Sequence, residues 1–456
     1  MFTSVSRRTL QTLPVRSLLR TFQSTVAKQE FIDRRRLLVE SLRPDVSEKE
    51  RQRPVVILAA AAKQQFSSRD VPYPYRQWSY FRYLTGLTIP KALVTITGSS
   101  NQLPTSTLYY TERTEREKLW EGSGLNKFEM QIISGVDEIR DLKCLGEDLE
   151  KLNPLVICCD ITQFDYINSV SQVLSSGSTR TLPLCEYVDK LRWIKSRAEI
   201  NLIHKTCEIG SKAMNEVIAN CCDISNENMV VGRLEYEVRR RNASCLAYPP
   251  VVAGGKRANV IHYLDANQQL HEGDTVLVDA GCEYEGYVSD ISRVFPISGK
   301  FSNSQMALYD ALLTIHETLI KTAETVRPLT LNQLYIIMID EMVQAFGELG
   351  IFKEQLTSQQ LLSAMEALCP HHVSHYLGLD VHDTPTVARN IPLLPGVVFT
   401  IEPGVYIHEN NEEIREEFRG IGMRIEDDIL ITEDGCEVLT QPCLKRSCDI
   451  EGLMRA

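Results

Sequence analysis

The pattern of apolar and polar positions divides the chain into two regions of different character. Between residues 30 and 187, short apolar runs typical of strands alternate with segments that favour helix. These runs are PVVILAAAA (54–62), KALVTITG (91–98), TLYYT (107–111) and PLVICCD (154–160). Strands that alternate with helices usually build a layered α/β structure. We therefore predict an N-terminal α/β domain over 30–187.

From residue 188 the apolar positions change to the helical period. Ser196 and Glu199 have the spacing of a capping box ahead of an apolar stripe that begins at Ile200. The pattern predicts a helix behind this capping box, within the segment 188–218, that opens the second domain. Further helices are expected near 303–325 and 331–348, while β-like runs dominate from 248 onward. The second domain, 188–456, is thus predicted to be α+β.

The first 29 residues differ from both regions. They contain basic residues but no acid, and many hydroxyl residues. Val15, Leu18, Leu19 and Phe22 have helical spacing, so a helix here would be apolar on one side and basic on the other. This pattern is typical of a mitochondrial transit peptide and not of a secretory signal. We expect residues 1–29 to direct the protein to mitochondria, with the matrix as the expected compartment, a cytoplasmic pool as an addition and a disordered basic tail as the alternative.

Composition excludes several classes of function. The formal net charge of −11 argues against nucleic acid as a partner. No run approaches eighteen apolar residues, so no membrane span is expected. The thirteen cysteines are odd in number and include no CxxC pair, which favours reduced thiols over a disulfide framework.

Acidic residues at the ends of apolar runs carry the candidate chemistry. In TVLVDAGCEYEGYVSDISRVFP (275–296), two apolar runs flank a turn-rich centre. Folded as a hairpin, these runs would bring Asp279 and Asp290 side by side. A buried carboxylate is costly unless a cation neutralises it. The segment therefore predicts a cation between the two acids.

Two later segments add further acids. Glu402 ends a strongly apolar run within GVVFTIEPGVYI (396–407). In GIGMRIEDDILIT (420–432), Arg424, Glu426 and Asp428 alternate with apolar residues and would share one face of a strand. Glu402 and Glu426 could then form a second strand pair opposite the first.

The segment HHVSHYLGLDVHD (371–383) holds four of the nine histidines. A helical zinc-protease motif is excluded, because it needs a glutamate directly after the first histidine and His371 is followed by His372. Four carboxylates with an imidazole suit two hard divalent cations better than one zinc. Two cations about 3.5–4 Å apart can activate a bridging water and polarise a scissile carbonyl.

Taken in order, these segments resemble the metal-ligand segments of the pita-bread metallopeptidases, specifically aminopeptidase P. The segment YPYRQWSYFRYLTG (73–86) is similar to the first domain of that family, and AYPPVVAGGKRANVIHY (247–263) to its mitochondrial form. The resemblance covers about residues 40–450. It implies an α/β N-terminal domain of the aminopeptidase P type, followed by an α+β pita-bread catalytic domain, and a homodimer.

The resemblance also implies a ligand set for two divalent metal ions, with Mn²⁺ expected. The five ligands would be Asp279, Asp290, His375, Glu402 and Glu426. Asp290 and Glu426 would bridge the two ions, and Glu402 would also serve as general base and then acid.

On the substrate side, the resemblance points to His262, His371, His382, Tyr406 and Arg424. His382 would support the developing tetrahedral intermediate, with His262 as a second catalytic histidine. Arg424 would lie beside Glu426. His372 has no assigned role and is expected to pack or to be exposed.

The function implied is an aminopeptidase that releases the N-terminal residue from peptides, typically with proline in second position. Two alternatives share the ligand set: an intermediate-cleaving peptidase that trims imported mitochondrial proteins, and a prolidase-type dipeptidase. A non-catalytic module that binds peptide termini is a third alternative, which the intact ligand set disfavours.

Overall fold

A computed structural model describes residues 26–99, 102–160, 170, 179–221 and 224–455. The chain divides into two units, Met1–Val188 and Asp189–Ala456. Most of the expected transit peptide lies outside the described residues. Its last two positions are already helical, because helix α1 begins at Lys28.

The first unit is built on one six-stranded sheet with the order β6-β5-β4-β1-β7-β8. The strands of this unit are β1 (Val55–Ala60), β2 (Phe66–Ser68), β3 (Val71–Pro72), β4 (Ala92–Ser99), β5 (Gln102–Tyr110), β6 (Glu138–Asp141), β7 (Val156–Cys159) and β8 (Arg180–Pro183). Its helices are α1 (Lys28–Leu42), α2 (Ser79–Thr85), α3 (Glu115–Glu121), α4 (Lys127–Ser134) and α5 (Leu145–Leu152). The four predicted strands are β1, β4, β5 and β7, so the α/β prediction is confirmed. Strand β1 is central in the sheet and buried, which explains its continuous apolar run.

Helices of the second unit surround several small sheets. Helix α6 (Cys185–Trp193) crosses the boundary between the units, and the helices that follow are α7 (Arg197–Ala219), α8 (Glu227–Arg239), α9 (Asn303–Thr325), α10 (Leu331–Leu349), α11 (Ser358–Leu368) and α12 (Ser447–Leu453). The helix predicted behind the Ser196 capping box is therefore present as α7, and α6 is a separate helix before it. The chain leaves helical geometry after Trp193, and the Ser196 side chain then caps α7 while Glu199 completes the capping box. Helix α11 was not predicted.

The strands of the second unit form four small sheets. They are β9 (Cys245–Leu246), β10 (Val251–Gly254), β11 (Thr275–Asp279), β12 (Cys282–Tyr284), β13 (Tyr287–Val288), β14 (Ser292–Pro296), β15 (Val398–Ile401), β16 (Gly404–Tyr406), β17 (Gly422–Arg424), β18 (Asp427–Ile431) and β19 (Cys436–Val438). The sheet orders are β10-β11-β14, β13-β12-β9, β15-β18-β19 and β16-β17.

Two details of the predicted pairing are corrected. The segment 275–296 is not one hairpin, because β12 and β13 form a separate small hairpin between β11 and β14. In the long pairing Asp279 lies opposite Ser292, not opposite Asp290. The segment 420–432 is not one strand either, because β17 ends at Arg424 and β18 begins in a different sheet.

A continuous apolar core packs the helices of the second unit against its sheets. Phe295 and Phe399 contribute from the strands and Leu312 from α9, all three fully buried. Each such side chain stabilises the fold by roughly 1.5–3 kcal/mol. Strands fixed in this core deliver the polar residues at their ends to defined positions, and those ends form the candidate site.

Candidate metal centre

Five residues expected as metal ligands lie at strand ends or in the loop between α11 and β15. Asp279 is the last residue of β11, and Asp290 lies just before β14. Glu402 follows β15, and Glu426 precedes β18. Ile401 pairs with Asp427, and Gly404 pairs with Arg424. Continuing either register places Glu402 opposite Glu426, so the expected second pair is present.

His375 enters the site from an irregular segment that is tied to β15. Its backbone N–H donates to Thr400 Oγ1 at 3.2 Å, and Thr400 N–H donates to the His375 carbonyl at 2.9 Å. His375 Nδ1 lies 3.2 Å from the Tyr376 carbonyl, which directs Nε2 at the acids. Nε2 is 3.5 Å from both Asp290 Oδ2 and Glu402 Oε1.

Tyr248 joins the first two acids. Its hydroxyl donates to Asp279 Oδ1 at 2.7 Å and also contacts Asp290 Oδ1 closely. A phenol has one proton, so it can donate to only one carboxylate at a time. The second contact is satisfied when Asp290 itself carries a proton, and burial together with the charge of Asp279 raises the pKa of Asp290.

The electrostatics of the site fit a divalent cation. Burial raises the pKa of Glu402 to about 7 and that of Glu426 well above its ordinary value, and the neighbouring acids add to the shift at Glu426. Burial alone would lower the pKa of His375, but its hydrogen bond to Asp290 and the charge of Glu402 raise it to about 9. Protons thus occupy a site that has a surplus of acids. One ligand atom from each of Asp290, His375 and Glu426 lies within 4.8 Å of the others, so these residues could hold an ion.

Each of the three guanidinium nitrogens of Arg424 donates a hydrogen bond to another protein side chain. Its Nη2 donates to Asp279 Oδ2 at 2.6 Å and its Nη1 to the Tyr406 hydroxyl at 2.6 Å. Its Nε donates to Ser292 Oγ at 2.9 Å, and Ser292 Oγ in turn donates to Glu426 Oε2 at 2.7 Å. Arg424 therefore reaches Glu426 only through Ser292, and its guanidinium orients three groups of the site.

His371 and Tyr406 form a pair on one wall. His371 Nδ1 lies 3.0 Å from the His372 carbonyl, and Nε2 lies 2.9 Å from the Tyr406 hydroxyl. This hydroxyl accepts from Arg424 and can therefore donate its proton to Nε2. Both ring nitrogens of His371 are thus used within the protein.

His262 and His382 are the histidines with exposed side chains in the site. His382 packs edge-to-face on His375, with the ring centroids 4.5 Å apart. Burial lowers its pKa to about 4, so its imidazole is neutral at neutral pH. A neutral ring retains one N–H that can donate to a substrate oxygen.

Acids and histidines line the same cavity of about 760 Å³. Its polar lining comprises Tyr248, His262, Asp279, Asp290, His371, His372, Ser374, His375, His382, Asp383, Thr384, Arg389, Glu402, Arg424 and Glu426. Its apolar lining includes Pro249, Val251, Ile261, Leu264, Val381 and Val387. Tyr406 is buried and lies behind this surface, with its hydroxyl on His371 and Arg424 and its ring edge-to-face on the His371 ring at 5.5 Å between centroids.

Sequence reasoning missed Tyr248, Ser292 and Thr400 as parts of the site. Tyr248 stands in the quoted segment AYPP, but no chemical pattern marks it, and the other two look like ordinary strand residues. His372 stacks on Tyr335 with centroids 5.2 Å apart and has its Nδ1 2.9 Å from the Ser374 carbonyl. The expectation of packing agrees with that contact.

Other expectations concern the whole chain. Among the helices that the structure describes, none has both the length and the apolar character needed to cross a membrane. The adjacent thiols Cys158 and Cys159 are buried in β7, and burial raises the pKa of both. Such thiols are poor nucleophiles at neutral pH.

Two protein-family models match the chain. Metallopeptidase family M24 matches residues 201–433, and the aminopeptidase P N-terminal domain matches residues 31–155. Every candidate metal ligand lies within the first of these matches.

Relatives and solved structures agree with these matches. The chain is 35% identical to Xaa-Pro aminopeptidase 3 of Homo sapiens over 398 residues, which are 85% of this chain and 78% of that protein. It is 34% identical to the mitochondrial intermediate cleaving peptidase 55 of Arabidopsis thaliana over 436 residues, 93% of this chain and 83% of that protein. The fold is similar to zinc-substituted Escherichia coli aminopeptidase P in complex with product, with a TM-score of 0.85, 33% identity, and coverage of 95% of this chain and 99% of that one.

Proposed function

The chain belongs to metallopeptidase family M24 and carries the N-terminal domain of aminopeptidase P, and on this premise we propose that it is an aminopeptidase with two divalent metal ions. It releases the first residue from peptides, typically with proline in second position. The observation that carries the proposal is the convergence of Asp290, His375 and Glu426 in the floor of a large cavity.

The residues that would hold the two ions are Asp279, Asp290, His375, Glu402 and Glu426. Bound there, the ions would polarise the scissile carbonyl and acidify a water molecule. We propose Mn²⁺, because the donor set is rich in carboxylate oxygens and contains one imidazole. The zinc-substituted relative makes Zn²⁺ the natural comparison.

The chain's own residues have separable tasks in this proposal. Glu402, whose pKa lies near 7 before any cation binds, takes and returns the proton of the attacking water. His262 and His382 donate to substrate oxygens from the cavity wall. His371, Tyr406 and Arg424 act together, because hydrogen bonds join the three in sequence and fix the wall.

A peptide panel tests the activity and separates its alternatives. Chelated enzyme with Mn²⁺ or Zn²⁺ added back would be given Xaa-Pro-Xaa tripeptides, Xaa-Pro dipeptides, and peptides that begin with Tyr, Leu or Phe without proline. Release of the first residue from the tripeptides supports the proposal. Cleavage of dipeptides alone would indicate a prolidase, and a preference for the third group an intermediate-cleaving peptidase. No turnover with either ion would contradict the aminopeptidase.

We also propose a mitochondrial location and a homodimer. The basic, acid-free composition of residues 1–29 and the mitochondrial relative support the location. A fluorescent reporter fused behind residues 1–29 should enter mitochondria, and a diffuse signal would contradict this. Light scattering of the purified protein, with an expected mass of twice 51.7 kDa, tests the dimer.

A further inference from the structure

One buried carboxylate of the second unit has no place in the metal centre. Glu227 is the first residue of α8, and its side chain is fully buried. Its Oε1 accepts from Gly254 N–H at 2.9 Å and from Arg257 Nε at 2.6 Å. Its Oε2 accepts from the Tyr263 hydroxyl at 3.0 Å and from Gln268 N–H at 2.9 Å. All four donors belong to the single segment 254–268.

Because each carboxylate oxygen of Glu227 accepts two hydrogen bonds, its charge can be buried. An unpaired buried carboxylate is strongly unfavourable, but an ion pair with further hydrogen bonds can offset its lost hydration. Arg257 supplies the positive charge, and two backbone N–H groups and a phenol supply the remaining donors. The network also fixes the segment at three places: its beginning, its middle and its end.

The middle of this segment forms part of the cavity wall. Ile261, His262 and Leu264 line the cavity, and residues 260–266 contain no helix or strand. Val260 and Leu264 are 54% and 56% exposed, and Ile261 and Tyr263 are only partly buried against the core, so the hydrogen bond of Tyr263 adds to limited apolar packing. Tyr263, immediately after His262, is directed away from the cavity to Glu227. The anchoring of Tyr263 therefore determines where the adjacent His262 can stand.

We propose that Glu227 is a positioning residue for the reaction: through Tyr263 it holds the segment 260–266 so that His262 faces the substrate. This inference rests on the proposed function, since it takes His262 as a substrate contact. Glu227 acts on substrate only through this anchor.

A double-mutant cycle with His262→Ala and Tyr263→Phe tests the inference. Tyr263→Phe removes one hydroxyl and keeps the ring, so the fold is retained. Loss of a hydrogen bond to a charged group corresponds to at least about a tenfold change, and we expect kcat/KM for an Xaa-Pro-Xaa peptide to fall by about that factor. In the His262→Ala background the same substitution should cause almost no further loss, because the group that it positions is absent. The matched control is Tyr236→Phe, which removes the hydroxyl of an exposed tyrosine on α8, the helix that begins with Glu227.

Hydrogen exchange gives a second readout that does not depend on activity. Tyr263→Phe should accelerate exchange of the amides of 260–266 relative to wild type and Tyr236→Phe, while the rest of the second unit stays unchanged. Glu227→Gln should extend the faster exchange across 254–268.

The possible outcomes separate the two proposals. The positioning role would be overturned if Tyr263→Phe lowered kcat/KM equally in the wild-type and His262→Ala backgrounds. It would also be overturned if Tyr263→Phe left kcat/KM unchanged in the wild-type background. If wild type shows no turnover with Mn²⁺ or Zn²⁺, the proposed function fails, and exchange then decides on the anchor alone. Unchanged exchange at 260–266 in Tyr263→Phe would overturn the anchor itself.

Discussion

Two adjacent carboxylates, Glu426 and Asp427, lie in opposite electrostatic surroundings although both are buried. Burial raises the pKa of Glu426, and the nearby Asp290 and Glu402 raise it further. Burial would also raise the pKa of Asp427, but the charges of Arg293 and Lys445 hold it well below its ordinary value. Arg293 Nη2 donates to Asp427 Oδ1 at 2.7 Å, and Lys445 Nζ contacts Oδ2 closely.

This difference separates acids that serve the fold from acids that serve the site. Asp383, next to His382, belongs with Asp427, because Arg192 and Lys195 neutralise it in the interior. Glu227 belongs there as well. The four acids proposed as metal ligands have Arg424 and, without metal, the protonated His375 as nearby protein cations, which is too little positive charge for four carboxylates. A buried carboxylate paired with a protein cation is structural, whereas a cluster with unmatched charge calls for cations from solution.

For the acids that serve the site, Glu402→Ala is the strongest test. This change removes a proposed metal ligand and the proposed proton carrier, so kcat should fall by at least about 10³-fold. Steady-state kinetics with saturating Mn²⁺ measures the loss, and metal analysis separates loss of metal from loss of proton transfer. Glu409→Ala is the matched control, because Glu409 is an exposed acid paired with Lys256. Full activity of Glu402→Ala would refute the proposed mechanism.

For the acids assigned to the fold, Asp427→Asn should destabilise the protein by about 3–5 kcal/mol, because it leaves the buried Arg293 and the partly buried Lys445 without their counter-charge. Denaturant unfolding measures this loss, which should be nearly the same with and without Mn²⁺. If the variant unfolds like wild type, the assignment of Asp427 to the fold is wrong.

Substitution of the neighbouring acid, Glu426→Gln, should have the opposite effect: stability without metal is kept, and stabilisation by Mn²⁺ is lost. A glutamine resembles the protonated acid that the metal-free site favours, so stability without metal should change little. Wild type with Mn²⁺ at about 100 times its Kd gains roughly 2.7 kcal/mol, and most of this gain should disappear in the variant. Thermal unfolding with and without Mn²⁺ gives both numbers. A variant that keeps the full stabilisation by Mn²⁺ would show that Glu426 is not a ligand.

The smallest expected effect, taken per group and per pH unit, is the pH dependence of the stability of the metal-free protein. The pKa of Glu402 is raised to about 7, so between about pH 4.3 and 7 the folded state holds a proton that the unfolded state has lost. The pKa of His375 is raised to about 9, so between about pH 6.5 and 9 its imidazole also keeps a proton in the folded state that it has lost in the unfolded state. Both groups make stability fall as pH rises, by at most about 1.4 kcal/mol per pH unit for each group. Unfolding in chelator across pH 4.5–9 checks the sign, and Mn²⁺ should oppose the fall because it displaces these protons.

Much of the fold follows from local pattern. The four predicted strands of the first unit and the long helices near 303–325 and 331–348 are present, because burial on a sheet or helix face requires a regular period of apolar residues. The start of α7 behind Ser196 could be predicted from its capping box, whose first residue must leave helical geometry. The strand pairing within 275–296 could not be predicted, because an inserted hairpin has the same alternation of apolar and polar residues as the strands that flank it.

The sequence by itself determined which residue types stand at the strand ends, in what order, and that their charge demands cations. Only the tertiary structure decided which acid of the run Glu426, Asp427, Asp428 faces the cavity. Arg293 and Lys445, which neutralise Asp427, and Asp290 and Glu402, which crowd Glu426, come from other segments of the chain. The charge of a buried group depends on neighbours in space, and adjacent residues of one strand point to opposite sides. For the same reason Tyr248 and Glu227 became visible only in the folded chain.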